Sequence, residues 1–414
     1  MLTRNRSGQQ PLARQSARVR ASLASFFANF SRSWLSACTL SLPLLFSSNA
    51  HASSCSFYQQ WPAWEAFKKN LISADGRVID YSHNAQHSTS EGQAYALFFA
   101  LVAQDKASFA TLLNWTTANL AGNDLSARLP AWQWGQKADK SWGVIDANSA
   151  SDADLWLAYT LLQAGELWRE PRYAALGELL GQRILNEESA DLPGLGLSLL
   201  PAPQGFKLSD KRWKLNPSYL PVSILRWFDK HGKDKRWSQL FNASIKALKL
   251  SSPKGYAPDW FIYDADLGMQ IDSEGEEKGR GGYNAIRVYL WAGIADSYEP
   301  QRKDLLKLWA PIGKLIEQHG TPAEFIDILS GTPQGFAPPG FSAALLPFLY
   351  SSEMHALARQ QELRLQAMPA KPDSYYDQVL SLYSQGWLEQ RYRFDSKGRL
   401  KLPRCGIAEP SGTK

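Results

Sequence analysis

Twelve stretches of this chain carry apolar residues at spacings of three and four, and nothing divides the series. They cover residues 62–72, 91–104, 106–120, 152–169, 171–187, 219–231, 235–248, 284–296, 301–318, 341–349, 353–366 and 374–390. Such recurrence marks amphipathic helices. No Gly/Ser linker, low-complexity run or heptad interrupts them, so the chain reads as one large all-α domain of about twelve helices. Short apolar runs such as Arg77-Val78-Ile79-Asp80 and Trp260-Phe261-Ile262-Tyr263 leave room for a few short strands in the loops. A domain of this size buries its own core. Helix pairs that close into a barrel bring their loops to one rim. No exact repeat is visible, so periodicity alone does not establish the closure.

The two ends of the chain differ from the middle. Residues 1–52 hold six arginines (Arg4, Arg6, Arg14, Arg18, Arg20 and Arg32) and no Lys, Asp or Glu. Taking those six from 45 basic residues leaves 39, against 39 acidic ones, so the rest is formally neutral. That excludes a nucleic-acid footprint. The basic start runs into an apolar stretch, Trp34 to Phe46, and then Ala50-His51-Ala52. This order is that of an export signal with its cleavage site, and the apolar run is too short to span a bilayer. The expected organisation is a removed signal over 1–52, a single domain over 53–408 and a disordered tail over 409–414. The mature chain would be periplasmic or secreted, with no stable membrane insertion. Cys55 and Cys405 then stand at its two ends, either bridged as an oxidising compartment permits or as two free thiols. No Cys/His grouping has metal-binding spacing.

Two helix starts carry carboxylates. Ser149-Ala-Ser-Asp152-Ala-Asp154 opens the 152–169 segment, and Ser88-Thr-Ser-Glu91-Gly92 opens the next one upstream. Ser149 or Ser151, and Ser88 or Ser90, are candidate caps. A helix N-terminus favours an ionised carboxylate, so Asp152 should stay charged and accept hydrogen bonds. Glu91 can act as a general acid only if burial overcomes that same dipole. Read singly, these residues are ordinary helix caps. Aromatic residues change the balance. Trp132, Trp134 and Trp142 lie in Pro/Gly-flanked stretches that either pack into the core or present rings to a sugar. Tyr219 offers a phenol near a helix start. Arg287 lies one helical turn beyond Asn284, within reach of a carboxylate or a surface partner.

Taken together, these pieces resemble glycoside hydrolase family 8. The family signature is met by Ala150, Ser151, Asp152, Ala153, Asp154, Ala158, Ala164 and Trp168, with mild departures at Leu157 and Thr160. Further matching stretches are Trp61–Glu65, Thr89–Gln93, Leu129–Trp132, Asn216–Pro221, Tyr283–Trp291 and Gly340–Ala344. Within that family the chain more closely resembles the branch of periplasmic endoglucanases encoded with bacterial cellulose synthase. The resemblance implies an (α/α)6 barrel and inverting hydrolysis of β-1,4-glucan without metal or cofactor. It further implies Glu91 as general acid and Asp152 as the carboxylate holding the distorted sugar. Tyr219 and Arg287 would stand around the attacking water, and Asp154 and the three tryptophans around the substrate. A β-1,4-glucan chain is the implied partner, with the cellulose synthase/export complex as a second one.

One position departs from the family. The usual base is the aspartate of Tyr-Asp-Ala-Ile-Arg, and this chain has Asn284 there. An amide does not take a proton from water. Three readings stay open. A carboxylate of the acidic loop (Asp272, Glu274, Glu276 or Glu277) serves as base, Asp152 or another site carboxylate serves weakly, or the chain binds glucan and hydrolyses little. Chitosan and xylan are alternative substrates within the same family.

Overall fold

The computed structural model describes residues 60–82, 86–273, 275 and 278–403. The expected signal over 1–52, Cys55, Cys405, the expected tail, Glu274, Glu276 and Glu277 lie outside the described residues. Among those described, thirteen α-helices alternate between two rings. The inner ring is α2 (Ser90–Val102), α4 (Ser151–Trp168), α6 (Val222–His231), α8 (Ala285–Ile294), α11 (Pro339–Ser351) and α13 (Tyr375–Leu388). The outer ring is α3 (Lys106–Leu120), α5 (Pro171–Glu187), α7 (Arg236–Leu250), the pair α9 (Arg302–Leu308) and α10 (Pro311–His319), α12 (His355–Ala367) and α1 (Pro62–Leu71). Each inner helix is followed by its outer partner, except that α1, first in sequence, backs α13, last in sequence. The ring therefore closes where the two ends of the domain meet. This is an (α/α)6 barrel of twelve helical positions. The 301–318 segment fills one of them with two helices, because Pro311 has no N–H to continue α9.

Side-chain periodicity decides which ring a helix joins. In α5 the buried residues are Gly177, Leu180, Gly181, Ile184 and Leu185, a single stripe that packs on α4. All ten residues of α8 are buried, as are all but Glu91 in α2, so these helices have no solvent face to offer. Phe98, Trp156, Trp291 and Tyr383 come from four inner helices and meet on the barrel axis at ring separations of 4.8 to 5.6 Å. They form a solid floor, since edge, tilted and offset-stacked contacts of this kind are favourable for aromatic rings. Short antiparallel strands occupy the loops. One three-stranded sheet joins Ser88–Thr89, Gln133–Gln136 and Trp142–Asp146, and a four-stranded sheet includes Arg212–Leu215 and Phe261–Asp264.

Gly293 marks the closest approach of α8 to α11. A methyl group there would lie 2.5 Å from the Pro347 carbonyl carbon, which is backbone and does not yield. Gly293→Ala is expected to destabilise the fold by about 1–3 kcal/mol, the usual cost of overpacking. Chemical denaturation of the variant reads this directly, and an unchanged midpoint would mean the two helices can part freely.

Candidate active site

The first turns of the inner helices share one rim. A cavity of about 580 Å³ opens there, lined from α2 by Glu91 and Tyr95, from the start of α8 by Asn284 and Arg287, and from α13 by Tyr375, Tyr376 and Asp377. Trp132 closes another side. Glu91 is the second residue of α2, whose cap is Thr89: its hydroxyl accepts the Gly92 N–H at 3.2 Å. The expected serine caps do not act. Ser88 instead accepts from Arg77 Nε and donates to the Val78 carbonyl. The cap of α4 is Ala150, with no side-chain bond, because the Ser149 hydroxyl turns to Glu188 at 2.6 Å.

Glu91 accepts the Trp132 indole N–H at 3.2 Å through Oε1, and none of the described residues reaches its buried Oε2. Burial, and then the nearby Asp152 charge, push its pKa up to about 7, against the opposing pull of Arg287 and the indole. Desolvation thus outweighs the helix dipole, the condition a general acid requires. If Glu91 is the acid, kcat/KM must fall as pH rises through about 7, where the carboxyl loses its proton. A profile flat across that region would remove Glu91 from the role.

Asp152 is 1% exposed and faces three donors. Arg287 Nη1 lies 2.6 Å from Oδ2, the Tyr95 hydroxyl lies 3.4 Å from the same oxygen, and the Ala153 N–H donates to Oδ1 at 2.8 Å. Burial raises its pKa, and the guanidinium and these hydrogen bonds pull it back. Arg287 also donates through Nη1 to Tyr95 at 2.8 Å and through Nη2 to Asn284 Oδ1 at 2.8 Å. One guanidinium therefore ties α2, α4 and α8 together. Tyr219 sits in the turn Pro217–Tyr219 with its ring 5.7 Å below that guanidinium. Burial, with the Asp152 and Glu91 charges, keeps its phenol well above the usual range and hence neutral. Asn284 is fixed from behind as well: Asp259 Oδ1 accepts the N–H groups of Gly282, Asn284 and Ala285 at 3.0, 2.7 and 2.6 Å.

Other expected residues lie elsewhere. Asp154, two positions beyond Asp152, points away from the cavity, as helical geometry requires. It is fully buried against Glu188 and does not line the cavity. Trp134 and Trp142 stack at 5.3 Å on the sheet strand that pairs Trp134 with Ser88, under the Arg77 guanidinium, and do not line the cavity. Trp142 is 48% exposed. Asp272 is 6% exposed and paired with Lys214 at 2.7 Å, which leaves it poorly placed as a base. Sequence reasoning missed Tyr95, although it stands one turn after Glu91. It also missed Glu188, Tyr375 and Tyr376, which no motif marks. Among the described residues no group of three or more His, Cys, Asp or Glu could hold a metal ion, and no helix is long and apolar enough to cross a membrane.

The chain matches the model of glycosyl hydrolases family 8 over residues 38–390. It is 46% identical over 346 residues to an endoglucanase of Salmonella typhi, covering 84% of this chain and 91% of that one. An Escherichia coli (strain K12) endoglucanase is 45% identical, with 84% and 92% covered. Among solved structures, an endo-1,4-D-glucanase from Vibrio fischeri ES114 superposes with a TM-score of 0.76 at 41% identity, over 83% of this chain and 99% of that one. With the barrel, the clustered carboxylates and these likenesses in hand, the chain belongs to glycosyl hydrolases family 8.

Proposed function

We propose that this chain is an endo-β-1,4-glucanase that cleaves within a glucan chain by inversion. The observation that carries the reading is Glu91, a carboxyl on the cavity wall whose pKa burial pushes up to about 7, beside Asp152 and its partner Arg287 at 2.6 Å. Relatives more than 40% identical along most of the chain bear the name endoglucanase. In this scheme Glu91 protonates the departing glycosidic oxygen, with the Trp132 indole holding the carboxyl in place. Asp152 accepts hydroxyl hydrogen bonds from the sugar at the cleavage point and offsets the positive charge that grows on its ring. Tyr219 and Arg287 hold the water side of the site. Release of reducing ends from carboxymethyl-cellulose by the purified chain tests the activity, and turnover on chitosan or xylan alone would redirect the substrate.

Inversion needs a base on the opposite face. Asn284 does not supply it, because its Oδ1 is taken by Arg287 and its amide nitrogen only donates. With Asp272 neutralised by Lys214, the base is assigned to the acidic loop carboxylates Glu274, Glu276 and Glu277. Asn284→Asp adds a carboxylate beside Arg287 and should raise kcat by about tenfold or more if water activation limits turnover. Replacing Glu276 and Glu277 together by Gln should abolish turnover in the parent and spare it in the Asn284→Asp background. A double variant as active as the parent would take the base away from this pair. Turnover no higher than that of Glu91→Gln would favour the second reading, a glucan-binding member that cuts little, for which Asn284 is the argument. Export through a signal over 1–52, a periplasmic or secreted domain over 53–408 and work on nascent cellulose beside its synthase complete the proposal.

A further inference from the structure

We infer that Asp154 and Glu188 form a proton-sharing carboxyl pair that seats the first turn of α4, and with it Asp152, so that both act as positioning residues. This rests on the assignment of Asp152 to the substrate. Both side chains are 0% exposed. The two carboxyls lie against each other within hydrogen-bonding reach, and no other N–H or O–H among the described residues reaches either oxygen of Asp154 or Oε2 of Glu188. A hydrogen bond between two carboxyls needs a proton on one of them, and two bare carboxylates in contact without a cation are not tolerated in a dry interior.

The pair stands at a junction of three segments. Glu188 caps the end of α5. Its Oε1 accepts the Ser149 hydroxyl at 2.6 Å, just before α4. Its backbone carbonyl accepts the Leu200 N–H at 2.8 Å, and the adjoining Pro201 carbonyl accepts the Ser151 N–H at 3.0 Å. Asp154 stands in the first turn of α4 itself. The pair thus fixes the helix start on one side while Asp152 leaves the same turn toward Arg287 and Tyr95. The charged groups that act on it are Asp152, Glu91 and, at the exposed end of α5, Glu187. All are acidic, and each favours retention of the proton.

The pH dependence follows with a definite sign. Burial lifts Glu188 to about 8, above the roughly 4.3 of an unfolded glutamate. Its contribution to stability is therefore complete below about 4.3 and is lost as pH rises through about 8. Glu188→Gln keeps the bond to Ser149 and donates to Asp154 through its amide.

The decisive experiment is infrared spectroscopy of the full chain in a Glu91→Gln background, with and without Glu188→Gln. We expect a protonated-carboxyl C=O band at neutral pH that shifts in frequency with Glu188→Gln, as its hydrogen-bonding partner changes, and disappears when Asp154→Asn is added, together with a flatter fall of Tm between about pH 5 and about pH 8 in Glu188→Gln. An unchanged band overturns the shared proton whether or not the enzyme is a glucanase. For positioning, Glu188→Ala should lower kcat about 100-fold, the scale of a small misplacement, whereas Glu188→Gln keeps most of it. Should Glu188→Ala fail to fold, Ser149→Ala removes only the hydroxyl and should lower kcat in the same direction. Full activity in the folded Ala variants, or a Gln variant as impaired as Ala, overturns the positioning role.

Discussion

Glu91→Gln is expected to cut reducing-end release by about 10²–10⁴-fold, the usual worth of a general acid, while glucan binding persists. The amide is the same size and still accepts the Trp132 indole N–H, so the pocket keeps its shape. What it lacks is a proton to give. Part of the pressure on Glu91 also disappears, because the charge of Asp152 no longer faces a second carboxyl. The variant should accordingly be at least as stable as the parent above pH 7. Turnover on carboxymethyl-cellulose and affinity by calorimetry check the two halves. Retained turnover would remove Glu91 from the chemistry, and loss of binding would make it a substrate anchor instead.

The second large effect is on stability. Arg287→Met should destabilise the fold by about 3–5 kcal/mol, the cost of breaking a buried ion pair by removing one partner. Asp152 would be left 1% exposed without its cation, and Tyr95 and Asn284 would each lose a donor. The penalty should shrink at low pH, where Asp152 takes up a proton and no longer needs the cation. Arg287→Lys tests geometry separately from charge: an ammonium does not span the three acceptors as the guanidinium fork does. A denaturant midpoint equal to the parent's in Arg287→Met would mean that Asp152 is already neutral in the native protein.

Much of this barrel was legible in the sequence because its period is strong. The outer helices announce themselves by single stripes, as Gly177 to Leu185 do, and the Pro311 break changes only the number of pieces. Caps were less legible. Ser88, Ser149 and Ser151 have the right chemistry, but tertiary partners such as Glu188 and Arg77 compete for two of them. The Glu91, Asp152 and Arg287 cluster was recoverable because each sits in a contiguous motif. Asp154 shares the motif with Asp152 but faces Glu188 rather than Arg287, since two residues on a helix is about half a turn and points the other way. Tyr375 and Tyr376 come from positions far from any motif, and the closure of the ring brings them near, whereas Glu188 ends α5 and meets α4 through the packing of that helix pair.

The shared rim has an electrical consequence. Each inner helix directs the start of its backbone dipole toward the cleft, equivalent to roughly half a positive charge apiece. Cleavage of a glycosidic bond builds positive charge on the sugar, so the bare scaffold would oppose the reaction it hosts. Asp152, planted on one of those helix starts, supplies negative charge where the ring must ionise, and Glu91, planted on another, acquires it as it gives up its proton. Stripped of them, and with Arg287 in place, the same bowl would attract anions.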